Sequence, residues 1–350
     1  MKDISELYFD ELKEEMAALS EKPFRAAQVF SWLHEKAAVS FDEMTNLPLS
    51  LREKLASEFE IPVLKVEQVQ ESRIDGTRKY LLALSDGNLI ETVLMRYHHG
   101  NSLCLSTQVG CRMGCAFCAS TIGGMVRSLK ASEILGELYA VLRDVGERIG
   151  HLVLMGSGEP MDNYEEVVRF LRLVSDEKGQ NLSLRNITVS TCGRPEGIRR
   201  FAKENLPVTL ALSLHAADDE TRRKLMPVAR RFTLKEVLAA CDAYFEETGR
   251  RVTYEYSVVR GVNDNEAEAK KLSRLLAGRN AHVNLIPVNP VTERGFERPN
   301  RETVLTFQKT LVKNGINATI RRELGSDIDG ACGQLRRKYR EENERKGEDA

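Results

Sequence analysis

Seven short apolar runs recur along the chain, at Leu103–Leu105, Leu152–Met155, Ile187–Val189, Val208–Leu212, Val252–Val258, Val283–Ile286 and Ala318–Ile320. Helical segments lie between most of them. One helix opens with the capping-box pattern Thr233-x-x-Glu236 and stops at Gly249, and others stop near Gly278 and Gly315. Strands that alternate with helices pair in parallel, because a helical crossover brings the chain back in the same direction. Six or seven such units predict an α/β fold built on a partial or complete parallel (β/α) barrel. In that architecture the chemistry collects in the loops at the C-terminal ends of the strands.

Two smaller regions precede the repeats. Residues 1–62 read as a helical accessory module, with Leu7, Phe9, Leu12 and Met16, then Phe24, Ala27, Val29, Phe30 and Leu33, near helical spacing. Pro23 and Pro48 punctuate it. Residues 63–97 read as a small antiparallel meander of Val63–Val69, Tyr80–Leu84 and Leu89–Met95, with Asp75-Gly76 and Asp86-Gly87 as turns. Tyr97-His98-His99-Gly100 is the expected link to a barrel core at 98–335. The end of the chain, Gln334 to Ala350, is nearly all charged and reads as a solvated tail, with 336–350 set apart from the core.

Hydrophobic residues at 42% and charged residues at 29% describe a chain with a packed core. A net charge of -1 neither demands nor excludes a nucleic-acid partner, because binding depends on where charge sits. No apolar run is long enough to span a membrane, and Met1 to Glu15 is acidic, unlike a signal peptide. The expected location is the cytoplasm. There, seven cysteines are metal ligands, catalytic thiols or packed apolar groups rather than disulfide staples.

Three of them, in Cys111-Arg-Met-Gly-Cys115-Ala-Phe-Cys118, come directly after an apolar strand. Thiolates are the usual ligands of iron–sulfur clusters, and a four-iron cube held by three cysteines leaves one iron open to another ligand. Gly110 and Gly114 let the backbone wrap closely, and Phe117 can shield the site. A structural zinc ion would want a fourth ligand at familiar spacing, and no nearby His or Cys supplies one. An electron carrier would normally bring a fourth cysteine.

The triplet resembles the signature of the radical S-adenosylmethionine superfamily. That resemblance implies a [4Fe-4S] cluster on Cys111, Cys115 and Cys118, with S-adenosylmethionine on the open iron. Met155-Gly-Ser-Gly158-Glu159-Pro160 resembles the superfamily's glycine–glutamate motif. Ser190, Ser213-Leu214-His215 and Asn289 end later strands, and each offers a polar group to the cofactor. Taken singly, such residues are more often strand-end caps or core hydroxyls.

Glu21-Lys-Pro-Phe-Arg-Ala, Ser40-Phe-Asp-Glu-Met-Thr-Asn, the triplet, Ser213-Leu-His-Ala and the loop Gly325-Ser-Asp-Ile-Asp-Gly-Ala-Cys332-Gly extend the likeness. From about Glu6 to about Arg337 the chain resembles the RNA adenine-C2 methyltransferase family named after ribosomal large-subunit methyltransferase N. The resemblance implies that Cys332 is methylated by one cofactor molecule. A second yields the radical that takes hydrogen from that methyl group, so two are used per turnover. The carbon radical then adds to C2 of an adenosine in 23S ribosomal RNA, and the reading extends to transfer RNA. The resemblance further implies Glu91 as proton acceptor, Cys104 as the thiol that releases the adduct as a Cys104–Cys332 disulfide, and an external donor such as flavodoxin or ferredoxin. Without it, Glu91 would be a surface carboxylate and Cys104 a buried thiol. Cys192 and Cys241 read as packed. Ser157 stands where the family commonly has Met, and Gly330 where it commonly has Ala. The sister enzyme that methylates C8 shares these cysteines, so the motifs discriminate poorly between the two. Arg pairs, Arg222-Arg223 among them, suit phosphate, although such pairs are usually solvated helix faces.

Overall fold

The computed structural model describes residues 1–291, 293–328 and 333–339. The chain opens with β1 (Lys2–Asp3), α1 (Phe9–Ala18), α2 (Phe24–His34), α3 (Leu49–Glu58) and β2 (Phe59–Glu60), which pairs with β1. Leu12, Met16, Val29, Phe30, Leu33, Leu51 and Leu55 turn inward and join the same apolar core as the barrel. Polar ties reinforce that contact. Arg169 donates to Glu6 O and Glu11, and His34 Nδ1 meets the Tyr139 hydroxyl at 2.9 Å.

Then come β3 (Lys65–Glu71), β4 (Arg78–Ala83) and β5 (Leu89–Tyr97), antiparallel neighbours as the alternating pattern and the two turns required. The meander does not stand apart from the barrel sheet. β5 pairs antiparallel with β6 (Gly100–Cys104), Tyr97 opposite Gly100. The expected link between units is instead the tight turn of a hairpin, because both strands carry apolar faces that belong to one sheet.

The repeats are present as predicted. After β6 the chain makes a two-stranded ribbon of β7 (Gln108–Gly110) and β8 (Met125–Ser128), which holds the cysteine loop. Then α4 (Ala131–Val145), β9 (Ile149–Leu154), α5 (Tyr164–Val174), β10 (Ile187–Thr191), α6 (Pro195–Ala202) and β11 (Thr209–Ser213) alternate. α7 (Asp219–Leu225), α8 (Leu234–Thr248), β12 (Val252–Val258), α9 (Glu266–Leu276), β13 (Ala281–Pro287), α10 (Arg301–Lys313) and β14 (Asn317–Ile320) complete the set. Thr233 and Glu236 cap α8 reciprocally, and Gly249 ends it at φ 64°, in the left-handed region.

β6, β9, β10, β11, β12, β13 and β14 are parallel in that order, and the sheet ends at β14 on one side and β3 on the other. The barrel is therefore partial. Its seam lies between the open edges β14 and β3, and residues 321–328, which follow β14, fasten to the turn after β3. Ser72 Oγ donates to Asp327 Oδ1 at 2.5 Å, Arg73 N to Asp327 Oδ2 at 2.8 Å, and Gly325 N to Asp75 Oδ2 at 2.9 Å.

The first residues of the stretch expected to be a solvated tail form structure instead. Residues 334–339 are helical, and Leu335 is 2% exposed against Leu81 and Leu89. Leu335 and Tyr339 pack that turn on the meander, and the N–H groups of Gly333 and Arg336 tie it to Glu91. The rest of the tail, from 340, lies outside the described residues, as do Gly330 and Cys332.

Candidate active site at the strand ends

Cys111 to Cys118 form a loop that the ribbon closes at its base. Gly110 sits at φ +78°, and a Cβ there would lie 2.0 Å from Gly124 O, so no other residue fits. Cys111 N donates to Gly124 O, and Ala116 N to Leu225 O at 2.8 Å, which rests the loop on the end of α7. Thr121 Oγ donates to Cys118 O, and Arg294 in turn donates to Thr121 Oγ at 2.8 Å.

Cys111, Cys115 and Cys118 line one cavity of about 260 Å³ at the C-terminal strand ends, together with Phe117, Gly158, Glu159, Ser190, Ser213, His215 and Asn289. All of these were singled out in the sequence. Leu214 is the exception. Its side chain is fully buried in the core rather than in the cavity wall, because strand alternation turns it away from Ser213. Its N–H donates to Glu255 O and its carbonyl accepts from Arg222.

The glycine–glutamate loop is built by close approach. Gly158 has φ +116°, and a Cβ there would meet Thr107 Oγ at 2.6 Å. Glu159 is 2% exposed, and its carboxylate is spanned by protein donors. Oε1 accepts from Thr191 Oγ at 2.6 Å and Met161 N at 3.1 Å, while Oε2 accepts from Cys192 N at 2.7 Å. His215 has φ 59° and accepts from Ser257 N through Nδ1 at 2.9 Å. Burial pushes its imidazole down to about 3, so it stays neutral, and Phe117 packs edge-on against it at 4.9 Å.

Sequence reading missed several groups in this wall. Thr191, Cys192, Glu255, Ser257 and Arg321 also line it. Glu255 and Ser257 interrupt the apolar run Val252–Val258, and a carboxylate inside a buried strand was the available signal. Burial and Asn284, which donates to its carboxylate at 2.8 Å, hold Glu255 in place.

Glu91 and Cys104 lie beside this cavity, not in it. Glu91 is buried rather than at the surface, because the docked C-terminal turn covers it. Its carboxylate pairs with buried Lys79 at 3.0 Å and accepts from Gly333 N and Arg336 N, each at 2.6 Å. Cys104 is 5% exposed and lines a second cleft of about 350 Å³, which shares Ile286, Asn289 and Arg321 with the first.

Burial pushes the Cys111 thiol up to about 11 and the Cys115 thiol further. Such thiols keep their protons until a cation displaces them, which is how iron is taken up by cysteine. Among the described residues no three His, Cys, Asp or Glu groups converge on a single metal ion. A cube bound through three separate irons calls instead for thiolates spread around one wall. The donor set fits the cluster, which Cys111, Cys115 and Cys118 would hold.

Three thiols and a ring of short polar groups around a strand-end cavity belong to a radical S-adenosylmethionine enzyme, and the Radical SAM superfamily model matches residues 105–272. The model of the ribosomal RNA large subunit methyltransferase N-terminal domain matches residues 2–61. A probable dual-specificity RNA methyltransferase RlmN of Lachnoclostridium phytofermentans is 57% identical over 96% of this chain and 95% of its own length. Its counterpart in Lachnospira eligens is 54% identical over 98% of each. A crystal structure of a radical SAM methyltransferase from Sphaerobacter thermophilus superposes with a TM-score of 0.92 at 42% identity, covering 95% of this chain and 99% of that one. The chain belongs to the RlmN family of radical S-adenosylmethionine RNA methyltransferases. Its cofactors are a [4Fe-4S] cluster and S-adenosylmethionine, and its substrate is RNA.

Proposed function

We propose that this enzyme methylates C2 of an adenosine in 23S ribosomal RNA and in transfer RNA, in the cytoplasm, with flavodoxin or ferredoxin as electron donor. The observation that carries the reading is the pair of joined clefts, one lined by the triplet and the other by Cys104, which meet at Asn289 and Arg321. A base seated at that junction is within reach of both. The names of the relatives, which specify dual-specificity RNA methyltransferases, support the two RNA classes.

When bound, the reduced cluster and S-adenosylmethionine supply a 5′-deoxyadenosyl radical. The chain's own residues supply the rest. Cys332 carries the methyl carbon and forms the bond to the base, which is covalent catalysis in a radical setting. Cys332 would take its methyl group from one S-adenosylmethionine and have it activated with a second, so that two would be used per turnover. Glu91 takes the C2 proton. Oε2 is held by Lys79 and Gly333 N and Oε1 by Arg336 N, which fixes the carboxylate and leaves a lone pair on Oε1 for the proton. Once the adduct has also given up one electron, which the bound cluster would take back, Cys104 attacks the sulfur of Cys332; the S–C bond breaks as the Cys104–Cys332 disulfide forms, and the freed carbon takes a proton to complete the methyl group on the base. A base undergoing this chemistry is unstacked, which favours an RNA loop over a regular duplex.

The test is mass spectrometry of nucleosides from 23S and transfer RNA treated with anaerobically reconstituted enzyme. We expect 2-methyladenosine from both. 8-methyladenosine would assign the chain to the sister chemistry, and unmodified transfer RNA would remove the second substrate.

A further inference from the structure

Arg222 and Arg223 look alike in the sequence, and the fold separates them. Arg222, on α7, is 0% exposed. Its Nη2 donates to Cys192 O at 2.7 Å and to Ser213 O at 3.4 Å, and its Nε donates to Leu214 O at 3.2 Å. These are all main-chain carbonyls. Nη1 is buried with no hydrogen-bond partner among the described residues. The acid one turn earlier, Asp219, accepts from Leu234 N instead. A buried guanidinium is usually paired with a carboxylate. This one is not, among the described residues.

Its position gives that charge something to act on. α7 is the support of the cysteine loop, through Ala116 N to Leu225 O at 2.8 Å. Cys115 packs against the apolar group formed by Cys192, Leu225 and Met226. Arg222 therefore stands behind the wall that carries Cys115, with protein rather than water between them. The thiols of Cys115, Cys192 and Cys241 lie in its field, the first two also in the opposing field of the buried Glu159, and Asp219 faces Arg222 from the same helix.

Reduction of the cluster takes one electron from an external donor. The core passes from the 2+ to the 1+ state, no bond forms or breaks, and no proton is required. Three thiolates already outweigh the core charge, so the electron enters an anionic assembly and makes it more negative by one unit. Cluster potentials respond to net charge, hydrogen bonds and solvent exposure. A cation in a water-poor interior is screened far less than one at the surface.

We propose that Arg222 is a positioning residue for this electron, whose buried charge, hydrogen-bonded to no carboxylate among the described residues, raises the reduction potential of the cluster on Cys111, Cys115 and Cys118. The inference rests on those three cysteines as ligands. Failure of that reading would appear in the wild type itself, as absence of cluster iron and absorbance after reconstitution.

The experiment is a redox titration of reconstituted full-length protein with dithionite and mediators, monitored by electron paramagnetic resonance, with iron and sulfide measured in each sample. R222Q and R222M should shift the midpoint potential to more negative values, whereas R222K, which keeps the charge and loses the fork, should stay near wild type. C241D keeps Arg222 and its bonds and sets a carboxylate in its field. It should shift the midpoint in the same direction, and it decides the matter if neither neutral variant retains its cluster. An unchanged midpoint in a charge-neutralised protein with full iron content would overturn the proposal. So would an R222K shift as large as that of R222Q, which would assign Arg222 to strapping strand ends alone.

Discussion

Glu159 offers a sharp test of what the glycine–glutamate loop does. The carboxylate faces three protein donors, two at Oε1 and one at Oε2. In Glu159→Gln the amide oxygen can serve only one of these positions, so the NH₂ confronts a donor at the other. The better arrangement keeps Thr191 and Met161 satisfied and leaves the buried Cys192 N–H without an acceptor, at a cost of about 1–3 kcal/mol. Loss of charge assistance at the remaining bonds removes about 1 kcal/mol more. The sum is about 2–4 kcal/mol. With an unfolding entropy of roughly 2.1 cal/mol/K per residue, each kcal/mol lowers Tm by about 1.4 °C in a chain of 350 residues. Circular dichroism melting of the cluster-free protein should show a fall of about 3–6 °C. Thr191→Val, which removes one donor, should fall by less. If Glu159→Gln melts like wild type yet no longer binds S-adenosylmethionine, Glu159 is a free ligand group and does not strap the loop to β10.

Three further outcomes are expected. Burial lowers both His34 and His215 to about 3, below an unfolded value near 6.5, so each stabilises the fold fully above about pH 6.5 and loses that contribution as pH falls toward 3. Each adds a slope of about 1.4 kcal/mol per pH unit, and denaturant titrations at pH 7, 6 and 5 should show a shallower decline for His34→Gln; parallel curves would refute it. Cys115→Ala should abolish the cluster and its brown absorbance, and a stoichiometric four-iron cluster in that variant would overturn the ligand assignment. Cys104→Ala should accumulate a covalent protein–RNA species that RNase shortens and that disappears when Cys332 is also changed to Ala; normal turnover with no trapped species would return Cys104 to the core.

The parallel barrel was legible because short, mostly apolar runs alternate with capped helices, a pattern that needs no tertiary information. The lining of the strand-end cavity was legible where short polar residues end those runs, as at Ser190, Ser213 and Asn289. Environment was not. Glu91 looks like any acid on an alternating strand, and only the docked turn around Leu335 buries it. Arg222 sits beside Arg223 in a charged helix, and no local pattern reveals which of the two faces inward. Leu214 shares a motif with Ser213 and His215 but points into the core, because neighbouring residues alternate sides. The hairpin at Tyr97–Gly100 was hidden for a similar reason, since pairing across β5 and β6 is decided by the sheet as a whole.

The seam of the barrel has a consequence for how a polymer gets in. A ring of strands closed all the way round is a well, and whatever enters must be small enough to be lowered through its mouth. In this protein one wall, next to the Cys104 cleft, is a clasp of a few side-chain hydrogen bonds between Asp327, Asp75 and the turn at Ser72. Hydrogen bonds to a carboxylate contribute about 1.5–3 kcal/mol each, and Leu324 adds packing against Val93, Met95 and Cys104, yet none of these contacts belongs to the strand ladder. An RNA loop has two strands leading away from the base to be modified, and neither can be passed down a well. A sheet whose edges are β14 and β3 is open at the side, the one direction from which a nucleotide would reach the clefts while its flanking chain stays outside.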